Sequence, residues 1–88
     1  MRIQNVHDLM VALRQGTYTS VGSYPLFYLT ADGGVLSPKS VRENLWTIAR
    51  AVRDGFEKQW VVVACDVNWE DPALYDDHSG DRIEAAYE

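Results

Sequence analysis

One cysteine, Cys65, is the only thiol in this 88-residue chain. A lone thiol excludes an internal disulfide, so the staples of small secreted domains are absent and a reducing, cytoplasmic setting is expected. No apolar run approaches the roughly 20 residues that span a bilayer, so no membrane segment is expected. The opening stretch MRIQNVHDLM lacks the apolar centre of a secretion signal. Internal repeats, linkers and low-complexity tracts are missing as well, and the length fits one domain, residues 1–88. A chain of this size buries only about 60–65% of its unfolded surface, so the core must be small.

What the chain does have is acidity, unevenly placed. The formal net charge is −5. Residues 1–65 hold five carboxylates against seven Lys and Arg, whereas residues 66–88 hold eight against Arg82 alone. The acidic character therefore belongs to the C-terminal quarter. Such a surface repels nucleic acid and attracts basic proteins, although it also serves plain solubility.

The hydrophobic pattern outlines the elements. Asn5 can cap a helix whose stripe is Val6, Leu9, Met10 and Leu13, ending near Gly16, which predicts a helix over about 5–15. A polar loop, 16–24, leads into PLFYLTA, 25–31, a strand that Pro25 opens. Asp32-Gly33 is a hairpin turn signal, with Val35-Leu36 as the return. Ser37-Pro38 starts a second helix, and Val41, Leu45, Ile48, Ala49, Val52 and Phe56 share its apolar face before Gly55 stops it. The run 59–69 is rich in β-formers without clear alternation, which predicts a central strand covered on both faces. Residues 82–87 read as a last strand. The sum is a small α+β domain, with two helices and a short antiparallel sheet of three or four strands.

Two segments, YPLFYLTADGGVLSPKSVRENL (24–45) and VVVACDVNWEDPALYDDHSGDRIEAAYE (61–88), resemble a family of short proteins from bacteria, phages and plasmids. Its members share YPLYY-TADG, VNWED and CDH-[CT]-G-RIESAY segments, and some look like small zinc ribbons. The resemblance implies zinc-ribbon-like knuckles at Ser37–Ser40 and Asp76–Ser79, where the family carries CxxC pairs. Ser37, Ser40, Asp76 and Ser79 stand where the thiolates would be, so no structural zinc is expected. The resemblance also implies a mobile-element setting.

Several residues invite a chemical reading, each with a plainer one beside it. Asp76, Asp77 and His78 offer oxygen and imidazole ligands for Mn²⁺, Mg²⁺ or zinc, but adjacent residues of a tight turn seldom converge on one ion. Asp66, Asn68 and Glu70 begin like a calcium loop, but the required sixth-position glycine is Asp71. Asp66, Glu70 and Asp76 would suit two-metal phosphoryl chemistry, yet no phosphate-binding loop accompanies them. Cys65, inside an apolar run, reads as a small hydrophobe rather than a nucleophile. Ser79 beside His78 is not a triad.

The helical wheel is more informative. At about 100° per residue, Lys39, Arg42, Trp46, Arg50 and Arg53 fall within roughly one quarter of the wheel, away from the apolar face. Tryptophan between arginines is the composition of an interface hot spot or a base-stacking surface. The plainer reading folds loop 16–23 or the acidic C-terminal segment over this stripe.

The function expected first is a non-enzymatic interaction protein of a phage or mobile element. It would bind and inhibit a host complex that handles nucleic acid or mediates defence, of the anti-CRISPR or anti-restriction type. Its contact would be the acidic surface Asp76, Asp77, Asp81 and Glu84. One alternative is a module in which the Lys39/Arg42/Trp46/Arg50/Arg53 stripe grips nucleic acid or an acidic protein. Another is a metal-dependent hydrolase using the C-terminal carboxylates. No cofactor or metal is expected, and Trp46 with an edge strand at 25–31 would favour a homodimer.

Overall fold

A computed structural model describes residues 1–87. Helix α1 spans Val6–Leu13, β1 Leu26–Thr30, β2 Val35–Leu36, α2 Pro38–Glu43, α3 Leu45–Asp54 and β3 Val62–Val67. This is the small α+β fold the pattern predicts, with an antiparallel sheet in the order β2-β1-β3.

Local chemistry accounts for the boundaries. Asn5 caps α1, its side chain accepting from the Asp8 N–H at 2.8 Å. The Asp32-Gly33 turn closes with Gly33 at φ 86° and Thr30 N–H donating to the Gly34 carbonyl at 3.0 Å. Ser37 caps α2, with Pro38 in its first turn. The single helix expected from Pro38 onward is two, because Asn44 leaves helical geometry at φ −118°, ψ 28°. Its side-chain amide donates to the Ser40 carbonyl at 2.8 Å, and it serves as both the end of α2 and the start of α3. Gly55, at φ 76°, ends α3. Phe56 lies past that turn and is 75% exposed, so it does not belong to the apolar face.

The run 59–69 is not the central strand. β1 is central, pairing with β2 on one side and β3 on the other. The β1–β3 register runs Leu26↔Val67, Tyr28↔Cys65 and Thr30↔Val62, with a shift between Leu29 and Thr30 that leaves Val63 as an extra residue. That bulge moves the inward positions of β3 out of period, so alternation is absent from the sequence while Val63 and Asp66 face outward, exposed.

Both outer edges of the sheet are occupied. Along β3, Ile3 N–H donates to the Val63 carbonyl and Cys65 N–H to the Met1 carbonyl, each at 2.8 Å. Along β2, Asp77 N–H donates to the Val35 carbonyl and Asp77 Oδ2 accepts from Val35 N–H, each at 2.9 Å. The segment 25–31 expected as an edge strand is therefore the centre of the sheet, flanked on both sides.

The helices cover one face of the sheet around Leu9, Tyr28, Leu36, Val41, Ile48 and Val62. Residues 82–87 form no strand. Ile83 N–H donates to the Leu74 carbonyl, Ala86 N–H to the Asn68 carbonyl and Tyr87 N–H to the Trp69 carbonyl. Asn68, 3% exposed, ties this segment down by donating to the Asp71 and Glu84 carbonyls at 2.9 and 3.1 Å.

Candidate functional site

The residue that the sequence places at the centre of an acidic surface is buried. Asp76 is 1% exposed. Its Oδ2 accepts from Ser40 Oγ at 2.6 Å and from Ser37 N–H at 3.0 Å. Its Oδ1 accepts from His78 N–H at 2.8 Å and Ser79 N–H at 3.2 Å. Burial alone would raise its pKa, but the donors of Ser37, Ser40 and His78 outweigh it and bring the carboxyl down from 3.8 to about 2. The serine turn at 37–40 and the acidic turn at 76–79 are thus brought together, and a fully hydrogen-bonded carboxylate joins them. Asp76 cannot also be an outward contact, which corrects its assignment to the docking surface.

The other acidic candidates separate. Asp77 is exposed, but its carboxylate caps the edge of β2. Asp81 and Glu84 are exposed, and Glu84 accepts from the Tyr18 hydroxyl at 2.7 Å. His78 stands edge-on to Trp60, with ring centroids 5.3 Å apart. Among the described residues no three His, Cys, Asp or Glu side chains gather as a metal site, which disposes of the Asp76-Asp77-His78 and Asp66-Glu70-Asp76 groupings. Cys65 is buried, and burial pushes its thiol up, away from the thiolate a nucleophile needs.

The helical stripe keeps its promise of exposure. Trp46 is 78% exposed, and Lys39, Arg42, Arg50 and Arg53 are exposed too. The break at Asn44 interrupts the wheel, and Arg42, Arg50 and Arg53, but not Lys39, border depressions that Trp46 also lines. Among the described residues, neither loop 16–23 nor the C-terminal segment covers Trp46. The charge of the stripe is smaller than the wheel suggests. Arg53 is paired with Asp54, Nε to Oδ1 at 2.8 Å, and Arg42 Nη2 donates to the Leu13 carbonyl at 3.4 Å. Arg50 borders two shallow depressions. Val6, Trp46, Ala49 and Arg53 complete one, and Thr47, Ala51, Phe56 and Glu57 help line the other. Phe56 is the member that the helical period misplaced. The glycine stop at 55 was the available signal that it lies beyond the helix.

A second aromatic set joins half-buried Tyr24 to exposed Trp69 and Tyr87, residues scattered along the chain. Tyr24 and Trp69 meet at 4.6 Å, and Trp69 stacks on Tyr87 at 6.1 Å with an interplanar angle of 19°. No protein-family model, curated protein or solved structure matches the chain.

Proposed function

We propose that this protein is a non-enzymatic binding protein that docks through the exposed face of α2 and α3, with Trp46 as anchor. The observation that carries this reading is a tryptophan left 78% exposed on a formed helix, with arginines on the same face. Burying such a ring against a partner recovers a large apolar area, and arginine adds directional bonds, which is why these two residues dominate interface energetics. The backbone of β3 is bonded to residues 1–3 and that of β2 to Asp77, which favours recognition by side chains.

An acidic protein surface fits this face better than nucleic acid. The chain carries −5 overall, and Asp54 neutralises one of the four cations of the stripe. In the mobile-element setting that the resemblance implies, the partner is a host complex that handles nucleic acid or mediates defence, and docking would inhibit it.

The test is affinity capture from host lysate by three forms of the protein: unaltered, W46A with R50A, and an E70Q control away from the stripe. A partner retained by the first and third and lost by the second supports the reading. The same partner captured equally by all three overturns it.

A further inference from the structure

A cleft of about 260 Å³ opens between the loop before β1, the start of α2 and the segment 81–84. Pro25, Leu26, Pro38 and Ile83 line it together with the hydroxyl residues Thr17 and Ser37. Its rim carries Tyr18, Asp81 and Glu84. Tyr18 donates to Glu84 Oε2 at 2.7 Å and so fixes where that carboxylate points. The hydrogen bond and the negative charge of Glu84 push the Tyr18 phenol up. Arg82 borders the same cleft, and its Nη1 donates to the Pro72 carbonyl at 3.4 Å.

A largely apolar floor bordered by two carboxylates and one guanidinium, net negative, has the shape and charge of a receptor for a long cationic side chain. The alkyl stem of arginine or lysine lies on the floor while its head meets the acids. The surface beyond the rim extends the match. Tyr24 adjoins Pro25 in the chain, contacts Trp69, and through it leads to Tyr87. Trp69 and Tyr87 are 44% and 62% exposed. Exposed rings of this kind seat prolines and stack on guanidinium groups. Base stacking is disfavoured here, because residues 66–88 carry eight carboxylates against one arginine.

We infer that this cleft receives an arginine or lysine side chain from an extended, basic segment of a partner protein, and that the flanking residues of that segment lie over Trp69 and Tyr87. The inference does not rest on the α2–α3 face.

The probe is an acetylated pentapeptide with one arginine between prolines, titrated into ¹⁵N-labelled protein, beside its citrulline counterpart, which keeps the shape and loses the charge. The expected result is saturable shifts at the Tyr18, Asp81 and Glu84 amides and the Trp69 indole. Binding should weaken at least about tenfold for the citrulline peptide, and likewise for arginine peptide on D81N/E84Q, whose dispersed spectrum reports an intact fold. W46A should leave the titration unchanged, which separates this site from the helical face. No saturable shift at millimolar peptide overturns the inference. So do shifts spread over all acidic residues, or equal binding of the two peptides.

Discussion

Ser40 Oγ donates to Asp76 Oδ2 at 2.6 Å, joining residues 36 positions apart inside the protein. One carboxylate gathers four donors from two turns: Ser40 Oγ and the N–H groups of Ser37, His78 and Ser79. A charge held this way is stable in place and costly to disturb, because any substitution leaves donors aimed at nothing.

Asp76→Asn should therefore destabilise the protein by about 2–3 kcal/mol at neutral pH, a large share of what a small domain has. The effect has a pH signature. The folded pKa of about 2 lies below the ordinary 3.8. The charged form is favoured by folding, so the stabilisation is complete above about pH 4 and drains away as pH falls through 2. For a side chain 1% exposed the linkage is worth about 2 kcal/mol. Urea unfolding of both proteins between pH 2 and 7 should show the wild-type advantage shrinking across that acid window. A constant difference down to pH 2 would rule the clamp out.

Much of the architecture is legible in residues whose preferences are local. Asn5, Asp32-Gly33, Ser37-Pro38 and Gly55 mark element ends because capping and positive φ are decided within a few residues. The exposure of Trp46, Arg50 and Arg53 is legible because helical period within α3 decides which side chains face out. Long-range pairing is not local, and there the reading fails. The bulge at Val63 arises from pairing with Leu29 and Thr30, so β3 looked doubly covered when it is the strand next to residues 1–3. Asp76 looked like one more surface acid because its donors at Ser37 and Ser40 lie far away in sequence. The Tyr18–Glu84 contact joins residues 66 apart, so no spacing rule points to the cleft.

Tyr28 supplies a contrasting test. The residue is fully buried, and among the described residues its hydroxyl has no hydrogen-bond partner. The thiol of Cys65, its register partner, is only a weak acceptor. Burial, with Cys65 adding to it, pushes the phenol well above its ordinary range. Removing the hydroxyl removes a desolvation cost and loses no more than a weak contact with the Cys65 sulfur. Tyr28→Phe should be neutral or stabilising by up to about 1 kcal/mol in chemical denaturation. A loss of 2 kcal/mol or more would mean that the hydroxyl is satisfied after all.

Phe56 and Ile48 both belonged to the apolar face that the helical period suggests, yet they should behave oppositely. Ile48 is fully buried at the centre of the core, and Phe56 is 75% exposed beyond Gly55. Ile48→Ala should cost about 2–5 kcal/mol through lost contacts and the cavity left behind. Phe56→Ser should change stability by less than about 0.5 kcal/mol. Thermal melts of the two variants decide it, and a strongly destabilised Phe56→Ser would place that ring in the core.

The last prediction concerns the two turns that Asp76 joins. The resemblance implies that cysteines at Ser37, Ser40, Asp76 and Ser79 would surround a tetrahedral ion; in this chain the Asp76 carboxylate joins the two turns instead. Replacing all four by cysteine removes the hydrogen-bonded clamp and supplies thiolates in its place. The S37C/S40C/D76C/S79C variant should fold only with metal, since the binding energy then becomes folding energy. Native mass spectrometry should find one zinc per chain, and a chelator should unfold the variant while leaving the wild type intact. The wild type itself should show no shift in melting temperature on adding Zn²⁺, because an ion that binds only the folded state must stabilise it. A variant that folds without metal, or binds zinc only loosely, would show that the two turns do not share the geometry of a knuckle pair.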